Sequence, residues 1–125
     1  MIIESQKYSG RCTCGQDHVM TTEFCIIDAG CMSDINRYIS RYGLSGFSVA
    51  IYDENTYYAE GLIRPTVTQE IILPPKNLHA DNNAVDLVMA ELSENCDYLI
   101  AVGSGTIHDI TRYCAYQLGV PFVSC

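Results

Sequence analysis

The chain has 125 residues, 48% hydrophobic and 18% charged, with 15 acidic against 7 basic side chains and a formal net charge of −8. That length suits one domain with a single core (residues 1–125), is short for a two-domain enzyme, and with this composition excludes disorder. A surface so negative repels phosphodiester backbones and anionic lipid, which disfavours nucleic acid and membrane partners, although backbone amides at a helix start could still hold one small anion.

The opening "MIIESQKYSG" has no basic region ahead of a long apolar core, so it does not read as a signal peptide. No apolar run approaches the roughly 20 residues that cross a bilayer. Seven cysteines, an odd number, are scattered without secretory features, which points to reduced thiols in a cytoplasmic protein. "CTCGQDH" offers Cys12, Cys14 and His18 as possible Zn²⁺ ligands. A Cys-x-Cys spacing is unusual for zinc, and no second Cys/His cluster follows nearby to close a tetrahedron. The expectation is therefore a plain loop or hairpin, with the first twenty or so residues forming an edge strand or hairpin.

From Phe24 onward, short apolar runs alternate with segments of helical period. "FCIID" (24–28) predicts a strand, and "MSDINRYISRYG" a helix with Met32, Ile35, Ile39 and Tyr42 on one face and Gly43 as its stop. "FSVAIYD" (47–53) is a second strand, "ENTYYAEGLI" a short helix and "VTQEIILP" (67–74) a third strand. After Pro74–Pro75, "ADNNAVDLVMAELSEN" carries an apolar stripe of Val85, Val88, Met89 and Leu92. "DYLIAVG" (97–103) is apolar on both sides, as buried parallel strands are. "TIHDITRYCAYQLG" places Ile107, Ile110, Cys114 and Leu118 at helical spacing and ends on Gly119, and "PFVSC" is one more strand. The pattern predicts an α/β fold, a Rossmann-like three-layer open parallel sheet with helices on both faces. Tyr38, Tyr42, Tyr113 and Tyr116 are expected to pack on helix faces, and Cys25, Cys96 and Cys114 to be small core residues.

Ligands of an open parallel sheet sit beyond the carboxyl ends of its strands. Two features fall at such ends. "GSGT" (103–106) follows the 97–103 strand and starts a helix. There Gly103 and Gly105 can adopt positive φ and admit a ligand close to the backbone, while free amides and the helix dipole favour a pyrophosphate. Thr106 with Asp109 resembles a capping box that would mark the helix start. The alternative is a tight connection with no ligand. The turn is not a P-loop, since no Gly-Lys-Ser/Thr follows, and His108 occupies the third glycine position of G-x-G-x-x-G. In "YDENT" (52–56), Asp53 ends a strand where a carboxylate commonly meets the adenosine ribose and repels a 2′-phosphate, favouring NAD over NADP. Its alternative role is a helix N-cap. His108, in the first turn of the last helix, reads as solvent-facing or locally hydrogen-bonded, and His79 as loop.

These residues carry a resemblance. "YLIAVGSGTIHDITRYCAYQLGVPFVS", with "YDENTYYAEG" upstream, is similar to the bacterial sn-glycerol-1-phosphate dehydrogenases of the iron-containing alcohol dehydrogenase and dehydroquinate synthase superfamily. General glycerol dehydrogenases typically show a Gly-Gly-Gly variant of the turn. The similarity runs from roughly Phe24 to Cys125, the amino-terminal part of a typical member.

The resemblance implies a domain binding NAD(H) or NADP(H). Gly103, Ser104, Gly105, Thr106 and Ile107 would hold the pyrophosphate and Asp53 would meet the adenosine ribose, with Asn55, Thr56 and Asp109 also expected among the cofactor-binding residues. It further implies a divalent metal (Zn, Ni or Fe) held by one Asp and two His in a carboxyl-terminal helical domain, and reduction of dihydroxyacetone phosphate by hydride transfer. The chain stops at Cys125, where the family continues into a "PTAPS" segment. The expectation is a cofactor-domain fragment that is inactive alone, binds NADH weakly and self-associates through an exposed apolar patch. Rival readings are the same domain of a glycerol dehydrogenase or dehydroquinate synthase, or a nucleotide-binding module that never had a catalytic half.

Overall fold

The structure, a computed structural model, describes residues 1–93 and 95–125. The chain forms two compact units, Met1–Ser33 and Asp34–Cys125. In the first, β1 (Ile2–Glu4), β2 (Gly10–Arg11), β3 (Asp17–His18) and β4 (Phe24–Ile26) make two antiparallel ladders, β1 with β4 and β2 with β3. The expected hairpin is present as β2–β3. The run 24–28, however, does not open the parallel sheet. Ile27 N–H donates to the Met1 carbonyl at 2.8 Å and the Met1 amino group to the Ile27 carbonyl at 2.7 Å, so the chain start captures this short run. A three-residue strand carries no periodicity that could distinguish the two partners. Cys25, expected in a core, is exposed on this ladder.

The second unit holds α1 (Ile35–Arg41), β5 (Ser48–Asp53), α2 (Glu54–Tyr57), β6 (Gln69–Leu73), α3 (Asn82–Glu91), β7 (Tyr98–Ala101), α4 (Gly105–Leu118) and β8 (Phe122–Ser124). α1 closes as a Schellman motif: Leu44 N–H reaches the Ile39 carbonyl and Gly43 N–H the Ser40 carbonyl, each at 3.1 Å, with Gly43 at φ +83°. α2, expected to run through "ENTYYAEGLI", is a single turn. α4 ends on Gly119 in the left-handed region, φ +68°.

The sheet is parallel, in the order β6-β5-β7-β8. Every position of β5 and β7 is buried. On one face, Val49, Ile51, Leu99 and Ala101 pack against Val88 of α3 and Ile107, Ile110 and Cys114 of α4. On the other, Ala50, Tyr52, Ile100 and Val102 pack with Ile39 of α1. Alternate residues of each strand thus bury opposite faces, which is why these strands read as continuous apolar runs. Desolvation pushes the Cys114 thiol up to about 11, so it behaves as a small apolar filler, as expected. Cys96 is half-buried at the edge of the same cluster.

Tyr113 and Tyr116 do not pack as expected: they are 47% and 80% exposed. At about 100° per residue, Tyr116 lies opposite Ile107 on the helix, so the three-residue spacing of Tyr113 and Tyr116, though helical, leaves these rings outside the buried stripe.

Strand order positions the site. From β5 the chain passes to β6 on one side, then returns to β7 on the other side of β5. The winding direction therefore reverses between β5 and β7, and the carboxyl ends of these two strands are where an open parallel sheet forms its ligand crevice.

Candidate functional site

Asp53 is the last residue of β5 and only 8% exposed. Its carboxylate accepts the Thr56 N–H at 2.8 Å and the Thr56 hydroxyl at 3.2 Å, capping α2. The N-cap reading of Asp53 is thus realised, and it does not exhaust the residue. A carboxylate offers about four acceptor positions, and the cap uses two. Thr56 in turn abuts the glycine turn, because a Cβ placed on Gly103 would lie 2.9 Å from the Thr56 Oγ1. The acidic strand end and the glycine turn, distant in sequence, therefore share one wall of the crevice.

The two glycines differ. Gly103 has φ +140° and no room for a side chain, so this position requires glycine. Its amide donates to the Cys125 carbonyl at 3.3 Å and is not free. Gly105, expected to share the positive φ, instead begins α4 with helical geometry, and a Cβ there would meet nothing within 4 Å.

The capping box is not formed. The N-cap is Ser104 rather than Thr106, its side chain makes no cap bond, and Asp109 turns to Arg112 at 3.1 Å. The first intrahelical bond runs from His108 N–H to the Ser104 carbonyl. Among the described residues, the amides of Gly105, Thr106 and Ile107 have no partner. These are the orphan donors of a helix start, with the dipole of a 14-residue helix behind them. They suit an anion with several oxygens. Ile107 can contribute only its amide, because its side chain is fully buried in the core.

The other expected residues are spread more widely. Asn55 is exposed on α2. Asp109 lines an open cleft of about 550 Å³ between α3 and α4, together with Asp81, Arg112 and Tyr116. His108 bonds Cys125 O at 2.9 Å and Ser124 Oγ at 3.1 Å, so it ties the start of α4 to the end of β8, in line with a locally bonded histidine.

One further cluster has no sequence signal, because it draws on three separate segments. The Tyr57 hydroxyl donates to Glu70 at 2.8 Å, and the Arg64 guanidinium lies 4.3 Å from the Tyr57 ring centroid and 3.9 Å from Glu70. Tyr52 packs edge-on against Tyr57 at 5.2 Å; burial, then Glu70, hold its hydroxyl well above the usual phenol range.

Residues 26–125 match the family model described as iron-containing alcohol dehydrogenase. The chain belongs to this family. As an iron-containing alcohol dehydrogenase family member, it is 33% identical over 130 residues to the glycerol-1-phosphate dehydrogenase (NAD(P)+) of Bacillus licheniformis, an alignment covering 95% of this chain and 32% of that protein. It is 32% identical over 109 residues to the enzyme of the same name from Bacillus velezensis, covering 79% of this chain and 27% of that one. The Geobacillus stearothermophilus enzyme is 30% identical over 127 residues, with 91% and 31% covered. The chain thus spans about a third or less of the length of these relatives. No solved structure gives a significant match. The resemblance drawn from "GSGTIHDI" and its surroundings agrees with this membership. Among the described residues, no helix is long and apolar enough to cross a membrane.

Proposed function

We propose that the chain is the nucleotide-binding part of a dehydrogenase interconverting sn-glycerol 1-phosphate and dihydroxyacetone phosphate, and that its β5–β7 crevice holds the adenosine diphosphate end of NAD(H). The observation that carries this reading is the joining of Asp53, Thr56 and Gly103 in one wall, beside three unpaired amides at the start of α4. The amides of Gly105, Thr106 and Ile107, with the Ser104 hydroxyl at the N-cap, receive pyrophosphate oxygens. The spare acceptor positions of Asp53 receive ribose hydroxyls. Asn55 and Asp109 stand at the margins. The names of the relatives support the substrate and the nicotinamide class.

When bound, the cofactor supplies the hydride that reduces the ketone. Among the residues of this chain, none is assigned to the substrate or to the divalent metal (Zn, Ni or Fe), which belong to a helical domain outside it. The chain alone is then catalytically silent, cytoplasmic and inclined to self-associate. NADH with dihydroxyacetone phosphate should show no turnover on it, and measurable turnover would contradict the assignment.

The carboxylate of Asp53 sets the preference for NADH over NADPH. Asp53→Asn tests this directly, because asparagine caps helices about as well as aspartate but carries no charge. Ligand-observed NMR titration should give weak binding of NADH to the wild type, on the order of millimolar, with NADPH weaker still. In the variant, NADPH should gain on NADH by roughly tenfold, the removal of one close like-charge repulsion. An unchanged ratio would place the ribose elsewhere.

A further inference from the structure

We propose that Cys12, Cys14 and His18 form a binding site for a thiophilic divalent cation, Zn²⁺ in the first instance, on the β2–β3 hairpin. One donor atom from each residue comes together, all three lying within 4.8 Å of one another, and Cys14 Sγ is 3.2 Å from His18 Nε2. In a tetrahedral zinc site with Zn–S of about 2.3 Å and Zn–N of about 2.0–2.1 Å, ligand atoms sit roughly 3.5–3.8 Å apart. The cluster is therefore close to the required spacing, and small rotations of three side chains complete it.

The backbone makes this convergence. Gly15 N–H donates to the Cys12 carbonyl at 3.0 Å and Cys12 N–H to the Gln16 carbonyl at 2.9 Å, with Gly15 at φ +87°. This tight knuckle brings both thiols of the Cys-x-Cys to one side. The antiparallel partner strand then delivers His18, opposite Gly10 in the ladder. The sequence named these three residues but its Cys-x-Cys spacing argued for a plain hairpin; their convergence is visible only once β3 pairs with β2.

Energetics gives a use for a metal here. β2 and β3 are two residues each, and none of residues 1–33 is buried. A two-stranded hairpin without a buried face is marginal in water, and units below about 40 residues usually need a metal, a disulfide or a partner. A cation held by three side chains would contribute its binding free energy to the hairpin. Two thiolates and an imidazole suit zinc and disfavour Mg²⁺ or Ca²⁺, which take oxygen ligands. Cys14 and His18 are exposed, so the path of entry is open, and the fourth position falls to water or an exchangeable ligand. This site is separate from the metal of the proposed dehydrogenase reaction, and its test does not involve turnover.

The untagged chain, purified under reducing conditions with zinc in the medium, should carry about one zinc per chain by mass spectrometry of the metal, a single site with its three ligands. Cys12→Ser, Cys14→Ser and His18→Ala should each reduce this to little or none, whereas Cys25→Ser and Cys31→Ser should retain it. Cobalt loading should give thiolate charge-transfer and tetrahedral d–d absorption in the wild type only. The Cys12 amide should exchange with deuterium more slowly when zinc is added, and amide spectra of residues 34–125 report whether a variant still folds. Metal-free wild type after zinc titration, zinc retained by the triple variant, or a Cys12–Cys14 disulfide that persists under reduction would overturn the proposal.

Discussion

Gly103→Ala is expected to destabilise the second unit by about 2–4 kcal/mol, seen as a lower urea midpoint with an unchanged slope. Two independent effects add. A non-glycine residue held at φ +140° pays about 1–3 kcal/mol of backbone strain. The new methyl also lies 2.9 Å from the Thr56 Oγ1, whose displacement disturbs the cap that Asp53 makes on α2, a contribution of about 1 kcal/mol. The strain falls next to the centre of the sheet, since only the buried Val102 separates Gly103 from β7, where every residue is buried. A variant as stable as wild type would mean that the crevice wall is looser than these contacts imply.

Gly105→Ala is expected to do the opposite. It should leave stability unchanged or raise it by about 0.4–1 kcal/mol, because alanine restricts the unfolded chain and fits a helical position facing open space. Nucleotide binding should nonetheless fall at least tenfold, about 1.4 kcal/mol, because the methyl occupies the approach to the unpaired amides of Gly105, Thr106 and Ile107. Thermal unfolding and ligand-observed NMR on the same preparation separate the two effects. If binding survives, the pyrophosphate lies elsewhere and the crevice is only a fold junction. One glycine thus serves the backbone and the other keeps space clear for a ligand, a division that identical residue types in "GSG" conceal.

Much of the fold was legible because burial writes itself into pattern. β5 and β7 are buried on both faces, so "SVAIYD" and "YLIA" carry no polar alternation, and α4 announces itself through Ile107, Ile110 and Cys114 with Gly119 as its stop. Relations between distant segments were not legible. The contact of Thr56 with Gly103 exists only because β5 and β7 are neighbours, and nothing local encodes that adjacency. The partner of β4 was misjudged for the same reason.

Local rules also failed where two local partners compete. Thr106 and Asp109 have capping-box spacing, yet Asp109 finds Arg112 three residues on, and the N-cap falls two residues earlier at Ser104, without a side-chain cap bond. The missing cap leaves the first-turn amides of Gly105, Thr106 and Ile107 without a protein partner among the described residues.

The most direct test of the central claim is amide chemical-shift mapping with ADP-ribose on the intact chain. The account predicts that the largest shifts fall on Ser104 to Ile107, with smaller ones at Thr56, and that Gly105→Ala abolishes them. Shifts centred instead on the α3–α4 cleft around Asp81 and Tyr116, or no shifts at saturating ligand, would contradict it.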